Sequence, residues 1–218
     1  MKEFVMKRKD NYWWERSLVI FGKPFIMFLV DTPITPNMVT IVNLFIVVPL
    51  IIFASHNRMY YLIAFLVQLY MFLDVVDGNL ARNKDMKSEL GRRLDIFSDT
   101  FFYIVGFFFI GKSMDLPLCK IIIFIVIQQL YGNIATYYIV PKINKLYKFE
   151  HTHLKNYFLK YNILFGMDAS LETLITSVLL LVPIRKHIFV LCPILWIVDL
   201  IYRLYELNWI NRNNLEVK

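Results

Sequence analysis

The sequence predicts an all-α, polytopic membrane bundle of six transmembrane helices preceded by an amphipathic interfacial helix. Three observations carry this. Of 218 residues, 58% are hydrophobic and only 19% charged, where a soluble domain has about half apolar and about a quarter charged residues. The charges fall in blocks between long apolar runs. Those runs approach the ~20 residues that a helix needs to cross a hydrocarbon core of ~30 Å.

The elements follow in order. Tyr12 to Val30 carries Trp13, Trp14, Arg16 and Lys23 ahead of an apolar half ending at Leu29 and Val30. It is short for a span and is interrupted by Gly22 and Pro24, so it is expected to lie in the interface with both tryptophans at headgroup depth. Six spans follow: Pro36 to Ser55, Tyr60 to Arg82, Gly91 to Gly111, Leu116 to Val140, Phe165 to Val182 and His187 to Tyr205. No internal repeat, low-complexity tract or linker divides them. The expected organisation is an N-terminal cytoplasmic segment with the interfacial helix (1–35), one six-helix domain (36–210) and a cytoplasmic tail (211–218). The Phe101 to Phe109 run of the third span is expected to face lipid or a second subunit.

All but five of the 24 Lys and Arg residues fall in the N-terminal segment, the loops after the second and fourth spans, and the tail. The exceptions are Arg58, Lys112, Lys120, Arg185 and Lys186. The positive-inside rule then puts both termini and the loop between the second and third spans in the cytoplasm. This bias also accounts for the formal charge of +7, so no nucleic-acid partner is expected. Met1 to Asp10 lacks the apolar core of a cleavable signal, and the N-terminus is expected to be retained. Cys119 and Cys192 sit in apolar context without metal-ligand spacing and read as packed thiols. His151 and His153 read as surface residues of a basic loop.

Acidic side chains within spans are costly and mark function by default. The second span holds Asp74 and Asp77, at i and i+3; the third holds Asp95 and Asp99, at i and i+4. Each pair shares a helix face, and a short loop makes the two helices natural antiparallel neighbours. Gly78, Ala81 and Gly91 leave space beside the carboxylates. Four convergent carboxylates need a countercharge. A structural cluster with Arg82, Arg92 and Arg93 is one answer. The other is a divalent cation: oxygen ligands without His or Cys favour Mg²⁺, Mn²⁺ or Ca²⁺, most often with a phosphate-bearing substrate.

Asp74, Asp77, Gly78, Ala81 and Arg82, followed after eight residues by Gly91, then Asp95 and Asp99 at intervals of four, match all eight fixed positions of a known signature. The segment resembles the CDP-alcohol phosphotransferase family, and Pro36-Asn37-Met38-Val39-Thr40 resembles the Pro-Asn-x-x-Thr opening that family's first span. The resemblance implies transfer of a substituted phosphate from a CDP-linked donor, CDP-diacylglycerol above all, to a hydroxyl acceptor, with release of CMP. It implies Mg²⁺ or Mn²⁺, two ions, held by Asp74, Asp77, Asp95 and Asp99, with Asp99 also the base. It places the CDP moiety among Asn37, Thr40, Gly78, Ala81, Arg82 and Gly91, and it implies a homodimer. Alternatives are a CDP-linked small alcohol donating to a lipid or glycan, an intramembrane prenyltransferase, and a cation transporter. The last two fit less well: the glycine and Ala81-Arg82 positions and the span count oppose a prenyltransferase, and the aspartates lie off midplane for a transporter.

Outside the signature, Asp168 and Glu172 are i, i+4 at the start of the fifth span. They read either as acceptor-binding groups, with Arg92, or as favourable charge at a helix N-terminus. Asp199 and Arg203 read as an internal pair. Gln129, Asn133 and Tyr137 share one face of the fourth span and are expected to make interhelical hydrogen bonds rather than to line the site.

Overall fold

The computed structural model describes residues 4–5, 13–139, 141–142, 157, 160 and 166–215, and every regular element among them is helical. The expectations for His151, His153, Val140, Phe165, the distal part of the basic loop and the end of the tail lie outside the described residues.

Helix α1, Trp13–Val30, runs without a break through Gly22 and Pro24, so the expected interruption is absent. Proline loses the bond to the carbonyl four residues back and crowds that carbonyl, yet the helix continues, with Val19, Gly22, Ile26 and Leu29 buried on both sides of Pro24. Gly22 is required there: a Cβ would come within 2.9 Å of the Phe72 ring.

Five helices among the described residues are long and apolar enough to cross a membrane. They are α2 (Pro36–His56), α3 (Tyr60–Asn83), α4 (Glu89–Ser113), α5 (Leu118–Ile139) and the segment Arg185–Trp209. The last belongs to α7, Ile188–Leu215, entered through a single 3₁₀ turn. Between α5 and α7 lies the shorter α6, Ala169–Leu180. Its 12 residues rise about 18 Å, less than a bilayer core.

The helix starts obey local rules. Thr35 caps α2, its hydroxyl accepting from the Met38 N–H at 3.3 Å, and Pro36 occupies the first turn, where no N–H is needed. Ser88 caps α4 by accepting from Gly91 N–H at 3.0 Å, with Glu89 favourably placed at the positive end of the helix dipole. Asp168 caps α6, accepting from Leu171 N–H at 3.0 Å. One turn of π-helix interrupts each of α2, α4 and α5, at Asn43–Val47, Phe102–Gly106 and Ile134–Ile139.

Helix α3 is central. It packs on α1, α2 and α6, while the first turns of α2 also touch the first half of α4. The α3–α6 seam is small and polar: the Ser177 hydroxyl donates to the Ala64 carbonyl at 3.0 Å and accepts from Gln68 at 3.0 Å. Such residues let helix backbones approach closely in a membrane. A run of rings fills the middle, with Tyr70 stacked on Phe102 at 3.9 Å and Phe124 meeting Phe107 and Trp196. Phe102 and Phe107 are fully buried. The expectation that the Phe101–Phe109 run faces lipid or a subunit therefore fails at these two positions, because a helix through the bundle turns part of any long apolar run inward. Cys192 is packed as expected, whereas Cys119 is exposed near the start of α5.

Candidate metal and transfer site

The site begins with two helix faces. Asp74 and Asp77 leave α3; Asp95 and Asp99 leave α4. Carboxylate oxygens of Asp74, Asp95 and Asp99 all lie within 4.8 Å of one another. Like charges this close disfavour one another unless a cation sits between them, and hard oxygen donors from two helices suit a divalent ion. The chemistry of the donor set suits such an ion.

Asp77 stands beside this trio rather than within it. It is 6% exposed, and its Oδ2 accepts from the Thr40 hydroxyl at 2.7 Å. The link explains why Thr40 matters: the side chain expected among the nucleotide residues also orients a carboxylate. The α2 start is held in place from behind, where the Lys84 ammonium donates to the carbonyls of Thr32 and Ile34 at 2.5 and 2.8 Å.

Asp99 has a partner that the sequence reading missed. The Tyr70 hydroxyl donates to Asp99 Oδ1 at 3.0 Å and lies 3.2 Å from Ser98 Oγ. Tyr70 is buried and itself tied to α2, since Asn43 Nδ2 donates to the Tyr70 carbonyl at 3.0 Å. Its only trace in the sequence is its place one turn before Asp74.

Two cavities flank the carboxylates. The first, about 510 Å³, is lined by Asn37, Thr40, Asp77, Gly78, Ala81, Arg82, Gly91, Arg92 and Asp95 among others. All six residues expected around the CDP moiety are there. Arg82 leans over Gly78, where a Cβ would sit 3.7 Å from its guanidinium nitrogens, and its buried Nε has no hydrogen-bond partner among the described residues. Gly91 serves a close approach: a Cβ would lie 2.8 Å from Asn37 Oδ1. The second cavity, about 490 Å³, is lined by Arg92, Asp99, Tyr103, Gln128, Asp168, Glu172 and Arg203 among others. The three candidate acceptor residues thus share one cavity with Asp99, and Arg92 borders both cavities.

The arginine cluster envisaged as a purely structural countercharge does not form with Arg92 and Arg93. Both pair with Glu89, at 2.7 and 2.9 Å, on the exposed start of α4. The internal pair of Asp199 with Arg203 does form, and the Tyr131 hydroxyl joins it, lying against both the Asp199 carboxylate and the Met167 carbonyl. Gln129, Asn133 and Tyr137 all line the second cavity. Their neighbour Gln128 makes the interhelical bond instead, its amide donating to Glu172, because a one-residue step turns a side chain about 100° around a helix.

Compared with known families, residues 33–198 match the one described as CDP-alcohol phosphatidyltransferase. No curated protein matches the chain.

Proposed function

The chain belongs to the CDP-alcohol phosphatidyltransferase family, whose members are transferases that move a phosphate group from a CDP-alcohol to an acceptor, and from that premise we propose how this protein acts. The donor is CDP-diacylglycerol, the acceptor a hydroxyl compound, and the products a phosphodiester lipid or its precursor and CMP. The observation that carries this reading is a pair of cavities flanking the carboxylates, both bordered by Arg92: one is lined by Asp95 and the expected nucleotide residues, the other by Asp99 and polar and acidic groups.

Cytidine lies along the Gly78 and Ala81 face of α3, and Arg82, whose buried Nε has no hydrogen-bond partner among the described residues, donates to the diphosphate. Asn37 and Thr40 close this pocket from α2, and Gly91 lets Asn37 come near. Asp74, Asp77, Asp95 and Asp99 hold Mg²⁺ or Mn²⁺, two ions, which supply charge neutralisation at the diphosphate and at leaving CMP. Asp99 takes the proton from the acceptor hydroxyl. The freed oxygen attacks the phosphorus bearing the donor's alcohol. The bond from that phosphorus to the bridging oxygen breaks, and CMP leaves with that oxygen and the electron pair. Tyr70 keeps Asp99 in position.

The second cavity supports a lipid on the donor. A diglyceride acceptor would press acyl chains against Asp168, Glu172 and Arg203, and charges facing hydrocarbon are costly. A CDP-linked small alcohol is the competing donor. Residues 36–210 form the catalytic domain, with α6 and its flanks as the fifth of six spans. Residues 1–35 supply the interfacial helix and residues 211–218 the tail. Both termini and the site opening face the cytoplasm, and the enzyme is a homodimer. The test is CMP release by purified protein given CDP-diacylglycerol or a CDP-linked small alcohol, with Mg²⁺ or with excess chelator. Magnesium-dependent release with the lipid donor is expected. Undiminished release in chelator overturns the metal assignment.

A further inference from the structure

We propose that the second cavity takes an uncharged polyol as the acceptor, in preference to a phosphorylated alcohol or an amino alcohol. The proposal rests on the transfer reading above and deepens it. Among the described residues, every charged group on the far wall is already engaged inside the protein. The Asp168 carboxylate accepts from the Ser170 hydroxyl at 2.7 Å and from Leu171 N–H at 3.0 Å. Glu172, 5% exposed, accepts from the Gln128 amide. Arg203 is paired with Asp199. Arg92 is bidentate on Glu89, at 2.8 and 2.7 Å, and borders the donor cavity as well, so it stands at the junction rather than the far wall.

What remains for a ligand among the described residues is neutral. Gln128 lines the cavity at 6% exposure, and its buried Oε1 has no hydrogen-bond partner among them. The carboxamides of Gln129 and Asn133 stand on the same wall. An amide oxygen accepts from a hydroxyl and an amide N–H donates to one, so this wall matches several hydroxyl groups at once. A phosphate here would face Asp168 and Glu172 with no uncommitted cation among the described residues that line the cavity. An ammonium would meet carboxyl groups that already accept from Ser170, Leu171 and Gln128.

The experiment uses the full chain in detergent with CDP-diacylglycerol and Mg²⁺, comparing kcat/KM for three acceptor classes by CMP release. Glycerol and inositol are the neutral polyols, their monophosphates the anionic set, serine and ethanolamine the amino alcohols. A neutral polyol is expected to exceed its own phosphate by at least about tenfold, and to exceed both amino alcohols. Higher kcat/KM with a phosphorylated or amino alcohol overturns the acceptor assignment and leaves the transfer reading standing. No CMP from any pair overturns the transfer reading, and this proposal with it. Two variants test the cause. Glu172→Gln and Asp168→Asn replace a carboxyl group by an amide and keep the shape, and Asn caps a helix as well as Asp does. Either is expected to narrow the polyol-to-phosphate ratio by about tenfold. A ratio unchanged in both variants overturns the electrostatic basis.

Discussion

Thr40→Val isolates one bond in the site. The Thr40 hydroxyl donates to Asp77 over 2.7 Å, and the two residues are 5% and 6% exposed. Valine keeps the shape and removes the donor. A hydrogen bond to a charged group contributes about 1.5–3 kcal/mol, and the loss is felt in full where water cannot replace the donor. That range corresponds to about 10- to 150-fold in an equilibrium constant. The loss falls on a carboxylate proposed as a metal ligand, so it should appear as a weaker requirement met only at higher Mg²⁺. The assay is calorimetric binding of the CDP donor across a magnesium titration, for wild type, Thr40→Val and Thr40→Ser. The valine variant is expected to shift the magnesium midpoint upward by at least about tenfold, and serine, which restores the hydroxyl, to recover most of it. An unchanged midpoint in Thr40→Val, with the protein folded, would refute the idea that Thr40 acts through Asp77.

Gly78→Leu should raise the donor KM strongly or abolish turnover while the protein still folds, since a Cβ there meets nothing closer than the Arg82 guanidinium at 3.7 Å; wild-type donor kinetics would remove Gly78 from the pocket. Asp99→Asn keeps an oxygen ligand but accepts no proton, so turnover should fall by about 10²–10⁴-fold with magnesium-dependent donor binding retained. Asp74→Asn should lose both, and near-normal turnover in Asp99→Asn would move the base elsewhere. Replacing the bulk magnesium with chelator, then adding back Mg²⁺ or Mn²⁺, should abolish and restore CMP release. A cysteine at Lys87 should label only from the cytoplasmic side and one at Asn57 only from the opposite side; the reverse pattern would turn the site away from a cytoplasmic donor.

What the sequence disclosed depends on how far a residue's chemistry reaches along the chain. Asp74 to Asp99 lie within one helix–turn–helix, and their period-3 and period-4 spacing fixes which faces they share, so the carboxylates were legible. Thr35-Pro36 was legible for the same reason, as a cap and a first-turn proline. The supports of the site were not, because their partners lie far away in sequence. Tyr70 in an apolar span looks like any core ring until α4 brings Asp99 beneath its hydroxyl. Gln128 and Gln129 are indistinguishable by type, and only the phase of α5 decides that Gln128 rather than Gln129 meets Glu172, although both line the second cavity. Thr40 pointed toward the nucleotide by resemblance, yet its hydroxyl is spent on Asp77. The same logic bears on Asp168 and Glu172. Their i, i+4 spacing allowed either favourable charge at a helix N-terminus or an acceptor site. Asp168 caps α6 and lines the second cavity at once, so in the proposed reading the residue that starts the helix also faces the acceptor. A cap needs only the shape and one oxygen, and asparagine supplies both. Exclusion of an anion needs the charge. Asp168→Asn therefore separates two roles that the sequence presents as one.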